Sequence, residues 1–205
     1  MVESISAAAA DDADGDPLGL FPLHAILLPG AAMAVRVFEP RYLRMVSDCG
    51  RHGRGFGVCL ILEGEEAGEP ALPATIGTEA LIEDFGAGED GLLTLRIRGA
   101  RRFATQRIQV RDDGLQVADV AWFGADLAQP VRPEHGLLVT LLERLMEHVG
   151  GDHAKAPRAC FDDAAWVGWR LAELLPLRET QRLHLLRTSD PDRRLDHLLT
   201  LLPDV

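Results

Sequence analysis

The hydrophobic period of this chain changes once, near Asp126 to Pro133, and that change limits the folds open to it more than any single motif. Up to about Gly124, short apolar runs (GVCLIL, ATIGTEALI, LLTLRIR, RIQV, LQVADVAWF) alternate with clusters of Gly, Asp and Glu, the pattern of strands joined by turns. In Leu93 to Arg98 the alternation is explicit: Leu93, Leu95 and Ile97 share one face, and Thr94, Arg96 and Arg98 share the other. Past Pro130 and Pro133 the spacing is helical. Leu137, Leu138, Leu141, Leu142, Leu145, Met146 and Val149 make one apolar stripe, which Gly150-Gly151 ends. A second helix, capped by Asp162, carries Ala165, Trp166, Trp169, Leu171, Leu174 and Leu175 up to Pro176. A third spans Glu179 to Arg187. A fourth starts at Ser189 or Asp190 with Pro191 and buries Leu195, Leu198, Leu199 and Leu202. Strands first and helices afterwards define an α+β chain. Six or seven strands with one early helix are expected to close, or nearly close, into a barrel, because closure removes exposed edges.

The densest local signal lies between Leu20 and Cys49. Two apolar runs, Leu20 to Leu28 and Ala34 to Phe38, flank Pro29-Gly30, a dipeptide that favours a turn with positive φ at the glycine. The runs therefore read as paired strands. Pro40 suits the first position of a helix, where its missing N–H costs nothing, and Tyr42, Met45, Val46 and Cys49 follow at helical spacing before Gly50.

In this order, the words FPLHAILLPG and FEPRYLRMV resemble the start of the Lon protease N-terminal domain, the substrate-recognition module of that ATP-dependent protease. The resemblance continues through FGVCLI, IGTEALI, LTLRIRGARRF and WRLAELLPL, and so covers nearly everything after Pro17. It implies a PUA-like barrel over 17–125; the helical spacing adds a four-helix bundle over 130–205, and composition an acidic disordered tail over 1–16. It also implies a recognition role, with unfolded polypeptide or a partner protein, a proteolytic one among them, as the bound species.

Composition agrees with a globular chain of one large domain or two small ones: 47% of its 205 residues are hydrophobic and 26% charged. The net charge of -11 is partly local, since Glu3, Asp11, Asp12, Asp14 and Asp16 sit in an Ala- and Asp-rich opening that suits a disordered tail. An acidic whole argues against non-specific binding to nucleic acid or to an anionic membrane. The N-terminus has no basic region and Ala7 to Ala10 is too short for a signal segment, so a cytoplasmic location is expected. Cys49, Cys59 and Cys160 are odd in number, and the first two lie in apolar settings, which reads as free structural thiols.

Catalytic patterns fail on their own chemistry. Gly86, Gly88 and Gly91 match G-x-G-x-x-G, but a strand follows where a helix N-terminus is needed, and Glu89 and Asp90 repel phosphate. Gly53, Gly55 and Gly57 likewise run into a strand. Lys155, the sole lysine, follows Ala154, not a phosphate-loop glycine, and no serine lies near it to form a Ser-Lys pair. The serines at 4, 6, 47 and 189 offer no G-x-S-x-G elbow. His148, His153 and Cys160, with Glu147 and Asp152, fit no tight zinc spacing. Neither an enzymatic activity, nor a metal, nor a cofactor is expected.

Binding candidates remain. Trp166 and Trp169 lie three apart on one helix, and Trp122 closes the last strand; they read as packing residues or as the lining of a groove for an extended apolar peptide. Phe38, Glu39, Arg41 and Tyr42 are further candidates, with a scaffold alternative in which Glu39 and Arg41 pair at the helix start and Tyr42 fills the core. Arg96, Arg98, Arg101, Arg102 and Arg107 (with Arg111 beyond) form a run without acids from Leu92 to Val110. Arginine forks suit phosphate, so the rival reading is an RNA- or DNA-binding face, against a solvated strand face paired with acids elsewhere. A small-molecule site in a cleft between barrel and bundle is a further alternative.

Overall fold

The computed structural model describes residues 16–88, 90–150 and 156–202. The tail up to Gly15, Glu89, and Gly151, Asp152, His153 and Lys155 lie outside the described residues, together with the readings that rest on them. The chain divides into two compact units, Met1–Gly124 and Ala125–Val205.

The first unit holds β1 (Leu18–Leu23), β2 (Ala32–Val37), α1 (Pro40–His52), β3 (Phe56–Glu63), β4 (Leu72–Ala87), β5 (Leu93–Val110) and β6 (Gln116–Trp122). The sheet order is β2-β5-β4-β3-β1-β6, and β6 also pairs with β5. Five strands, β1, β3, β4, β5 and β6, thus close into a ring, and β2 is added to the outside of β5. β5 does this by its length: Leu93 to Arg98 pair with β2 and Phe103 to Val110 with β6, while β4 pairs with it from Leu93 to Ala104. Leu20, Phe56, Cys59, Leu95, Ile97, Phe103 and Ala118 are almost wholly enclosed.

The expected β1–β2 hairpin does not form. The apolar run from Leu20 to Leu28 serves two purposes: residues up to Leu23 are strand, while Ile26, Leu27 and Leu28 are buried from a non-strand connection. β1 pairs in parallel with β3 and β2 antiparallel with β5. The turn itself is present. Ala31 N–H donates to Leu28 C=O, Gly30 has φ 75°, and the turn is tied to β5 because Gly30 N–H donates to Gly99 C=O and Gly99 N–H to Ala31 C=O.

α1 starts at Pro40 as expected, but it runs through Gly50 and ends at Gly53, whose φ of 62° closes the helix with an N–H bond to Cys49 C=O. A Cβ at Gly50 would meet nothing within 4 Å, so that glycine is carried inside the helix without a packing reason. Tyr42, Met45 and Val46 are buried beneath, and Tyr42 meets Phe21 edge-on at 4.6 Å between centroids.

The second unit holds α2 (Gly136–Val149), α3 (Ala164–Leu174), α4 (Glu179–Arg187) and α5 (Pro191–Leu201), with 3-10 turns at Pro133–His135 and Arg158–Asp162. Asp163, not Asp162, caps α3 by accepting from Ala165 N–H, because Asp162 is taken up in the 3-10 turn. Asp190 caps α5, accepting from Asp192 and Arg193 N–H ahead of Pro191. α3 packs against α2 and α5. The α2 stripe is narrower than its sequence suggests: Leu138, Leu142 and Met146 are buried, while Leu137 and Val149 are exposed.

All three cysteines are free. Burial pushes the Cys59 thiol up to about 12 and also raises Cys49, against the opposing pull of Arg54. Since the thiolate is the reactive species and Cys59 is buried, iodoacetamide at pH 8 is expected to reach Cys59 only after unfolding and half-exposed Cys160 in the folded protein, as peptide mass mapping will read.

Candidate recognition groove

A groove of about 1200 Å³ opens on the barrel unit. Met45, Asp48 and Cys49 of α1 contribute to its lining, as do Glu79 and Leu81 of β4, Arg101 of β5, and Val117 to Val120 with Trp122 of β6. Asp16, Pro17 and Arg54 stand at one end. Trp122 is fixed from both sides: its ring meets Phe103 edge-on at 5.9 Å, and the Arg101 guanidinium lies 4.0 Å from its centroid. Leu81 is 43% exposed there. Two of its arginines are paired within the lining: Arg101 bonds Glu79 at 3.0 Å and Arg54 bonds Asp16 at 2.9 Å. The lining thus sets aromatic and aliphatic surface among charged groups, with Asp48, Asp119 and Arg111 also at its wall.

The other candidates occupy different settings. Phe38, just beyond β2, is 53% exposed, whereas Arg41 and Tyr42 are buried. Glu39 and Arg41 form an ion pair at 2.9 Å at the helix start, and Arg41 also donates to Gly114 C=O. Trp166 and Trp169 belong to the helical unit. Trp169 is buried, donates from Nε1 to Asp126 at 2.8 Å and stacks under Arg194; half-buried Trp166 meets Phe161 edge-on at 5.2 Å.

The arginine run is not a single basic face. Arg96 and Arg98 both bond Glu83, Arg101 bonds Glu79, and Arg102 is buried over the Phe123 ring. Arg107 is exposed opposite Asp119. Acids from the neighbouring strand, invisible within the run itself, supply the pairing. The bond from Arg98, with that from Arg96, holds the Glu83 carboxyl below the usual carboxylate range. A depressed carboxylate stabilises the fold above its unfolded value, about 4.3, and that contribution is lost as pH falls through the lower folded value. Acid unfolding is therefore expected to begin earlier for the native chain than its other carboxylates require, and Glu83→Gln removes that share of the pH dependence. Carboxyl NMR titration checks it.

The G-x-G-x-x-G segment is the β4–β5 hairpin turn, where Gly88 N–H donates to Leu92 C=O and Gly91 N–H to Gly88 C=O. Among the described residues, no group of three or more His, Cys, Asp or Glu side chains is placed to hold a metal. No helix among them is long and apolar enough to cross a membrane.

The fold is a closed small barrel that carries the groove, followed in the chain by a helical unit. The chain belongs to the family of the ATP-dependent protease La (LON) substrate-binding domain, whose model matches residues 17–204. It is similar to the Lon N-terminal domain protein from Xanthomonas campestris, with 55% identity, 90% of this chain and 98% of that one covered, and a TM-score of 0.77. It also shares its fold with the N-terminal domain of Mycobacterium avium complex Lon protease, at 16% identity, 92% and 99% coverage, and a TM-score of 0.65. Among curated proteins none matches.

Sequence reasoning named Trp122 but missed Met45, Arg54, Leu81 and Val120. Met45, Leu81 and Val120 come from α1, β4 and β6 and Arg54 from the connection after α1, and only the ring closure brings these parts of the chain together.

Proposed function

We propose that this protein holds exposed apolar segments of unfolded polypeptide, or of a partner protein, without catalysing a reaction, needs no cofactor, and works in the cytoplasm. The observation that carries this reading is the Trp122 groove: an indole held by Phe103 and Arg101, with exposed Leu81 in the same lining and Arg101 paired with Glu79. Membership of a substrate-binding family supports it. Phe38 and Trp166 offer further aromatic surface. Arg41, Tyr42 and Trp169 act as scaffold in this reading, and Glu39 serves by pairing with Arg41. The paired state of Arg96, Arg98 and Arg101 gives the nucleic-acid alternative less support.

Titration with reduced, carboxymethylated α-lactalbumin, followed by tryptophan fluorescence, tests it. Saturable binding is expected, and Trp122→Ala should weaken it by about tenfold or more, the loss typical of a buried aromatic anchor. Absence of saturable binding, or binding indifferent to Trp122, counts against the groove.

A further inference from the structure

Within the helical unit, α4 and α5 bring two histidines into ring contact. His184, exposed in the last turn of α4, and half-buried His197 of α5 have ring centres 4.2 Å apart and planes tilted by 47°. Each backbone is regular at this point, and its threonine hydroxyl is engaged by main chain: Thr188 Oγ1 donates to His184 C=O at 3.0 Å and Thr200 Oγ1 to His197 C=O at 2.6 Å. Other histidines have a ring nitrogen engaged, His52 Nδ1 with Asp48 C=O and His135 Nε2 with Asp196. The ring nitrogens of His184 and His197 have no such partner among the described residues.

Two imidazoles this close disfavour a proton on each but can share one metal ion. Burial, and after it the neighbouring His184, holds His197 below the usual imidazole range, which keeps it near pH 7 in the neutral form that binds metal. A metal–nitrogen bond of ~2.0–2.1 Å puts a ring centre ~3.2 Å from the ion, so two imidazoles at a right angle have centres ~4.5 Å apart and a tetrahedral pair ~5.2 Å. The separation of 4.2 Å is near the first and well short of the second. The outer torsion of histidine is soft, so either ring can turn a nitrogen to the shared point while its helix stays in place. We propose that His184 and His197 form a two-nitrogen site, at adjacent positions of a tetragonal or octahedral divalent transition ion such as Ni²⁺ or Cu²⁺, which ties α4 to α5. No third His, Cys, Asp or Glu is grouped with the pair among the described residues, so water or a donor on a bound molecule fills the other positions. Oxygen-seeking Mg²⁺ is not held by such a pair. Arg187, Arg193 and Arg194 stand one helical turn away; Arg193 is drawn to Asp190 at 3.9 Å and Arg194 to Asp126 at 2.8 Å. The site is independent of the recognition reading, whose groove belongs to the barrel unit.

The test titrates the full chain, free of any histidine tag, with Ni²⁺, which unlike Cu²⁺ does not oxidise free thiols. Calorimetry is expected to show one site, and His184→Ala and His197→Gln should each weaken it at least ~tenfold, since one imidazole alone loses the chelate. His184→Ala alters an exposed side chain and decides the matter alone if His197→Gln does not fold. In NMR spectra, paramagnetic broadening should start at the α4 and α5 amides around both histidines, ahead of His24, His52 and His148. Ni²⁺ should also raise the melting temperature of the parent and not of the variants, because it binds only the folded pair. Mg²⁺ should do none of this. Absence of binding at millimolar Ni²⁺, broadening that starts elsewhere, or His184→Ala binding as tightly as the parent overturns the proposal. Zn²⁺ binding more tightly than Ni²⁺ overturns it as well, because a tetrahedral ion would then be the better fit.

Discussion

Gly99→Ala is expected to lower the stability of the barrel unit by at least ~3 kcal/mol, a fall of roughly 10 °C in melting temperature. A Cβ at Gly99 would lie 2.2 Å from Leu28 C=O and 2.9 Å from its carbonyl carbon. Backbone, unlike the end of a flexible side chain, has little room to yield. The obstructed carbonyl belongs to the Pro29-Gly30 turn, which is held to Gly99 by two hydrogen bonds, so the turn must lift and strain or break both. Overpacking alone costs about 1–3 kcal/mol, and each lost bond adds roughly 1. Lifting the turn also disturbs Leu27 and Leu28, both nearly fully enclosed. Gly50→Ala is the control, since its Cβ meets nothing and the helix gains ~0.5–1 kcal/mol from the better helix former. Urea unfolding of the two variants should move in opposite directions. A Gly99→Ala protein as stable as the parent would show that the turn is not seated on β5.

The same turn shows where reading a sequence succeeds and where it stops. Pro29-Gly30 encodes a local conformation, and both the turn and the positive φ at Gly30 are found. What a turn joins is not local. The proximity of the two apolar runs suggested a hairpin, whereas β1 found β3 and β2 found β5, pairings decided by burial across the whole barrel. Helix caps behave similarly. Pro40, Asp190 and Pro191 are read correctly because their chemistry acts within one turn of helix. Gly50 and Gly53 look alike in sequence, and only Gly53 sits where the backbone needs left-handed φ. The groove was the least legible part. Arg101 was named for its charge, yet its position between Glu79 and the Trp122 ring depends on three strands meeting.

Replacing Arg194 by alanine is expected to cost the helical unit ~3–5 kcal/mol, because it strips the partner from a buried charge. Arg194 is fully enclosed on α5. Its Nη1 lies 2.8 Å from Asp126 Oδ2, its Nη2 donates to Thr188 C=O at 2.7 Å, and its guanidinium lies 3.5 Å from the centre of the Trp169 ring. Asp126 in turn accepts from Trp169 Nε1. One carboxylate thus joins α3, α5 and the segment leading into α2, and the space for it exists because residue 168 is glycine: a Cβ there would come within 3.1 Å of Arg194 Cδ. In Arg194→Ala the carboxylate stays buried without its cation, and a void opens beside Trp169. Arg194→Lys keeps the charge but loses the planar fork and the stacking, so its loss should fall between parent and alanine. The decisive comparison is Arg194→Met with Asp126→Asn. Removing both charges together avoids the stranded ion, so the double variant should be more stable than either single one. Thermal and urea unfolding of the parent, the single variants and the double variant read this directly. If Arg194→Ala costs less than ~1 kcal/mol, or the double variant loses the full sum of the singles, the cluster is not the coupled unit its geometry describes.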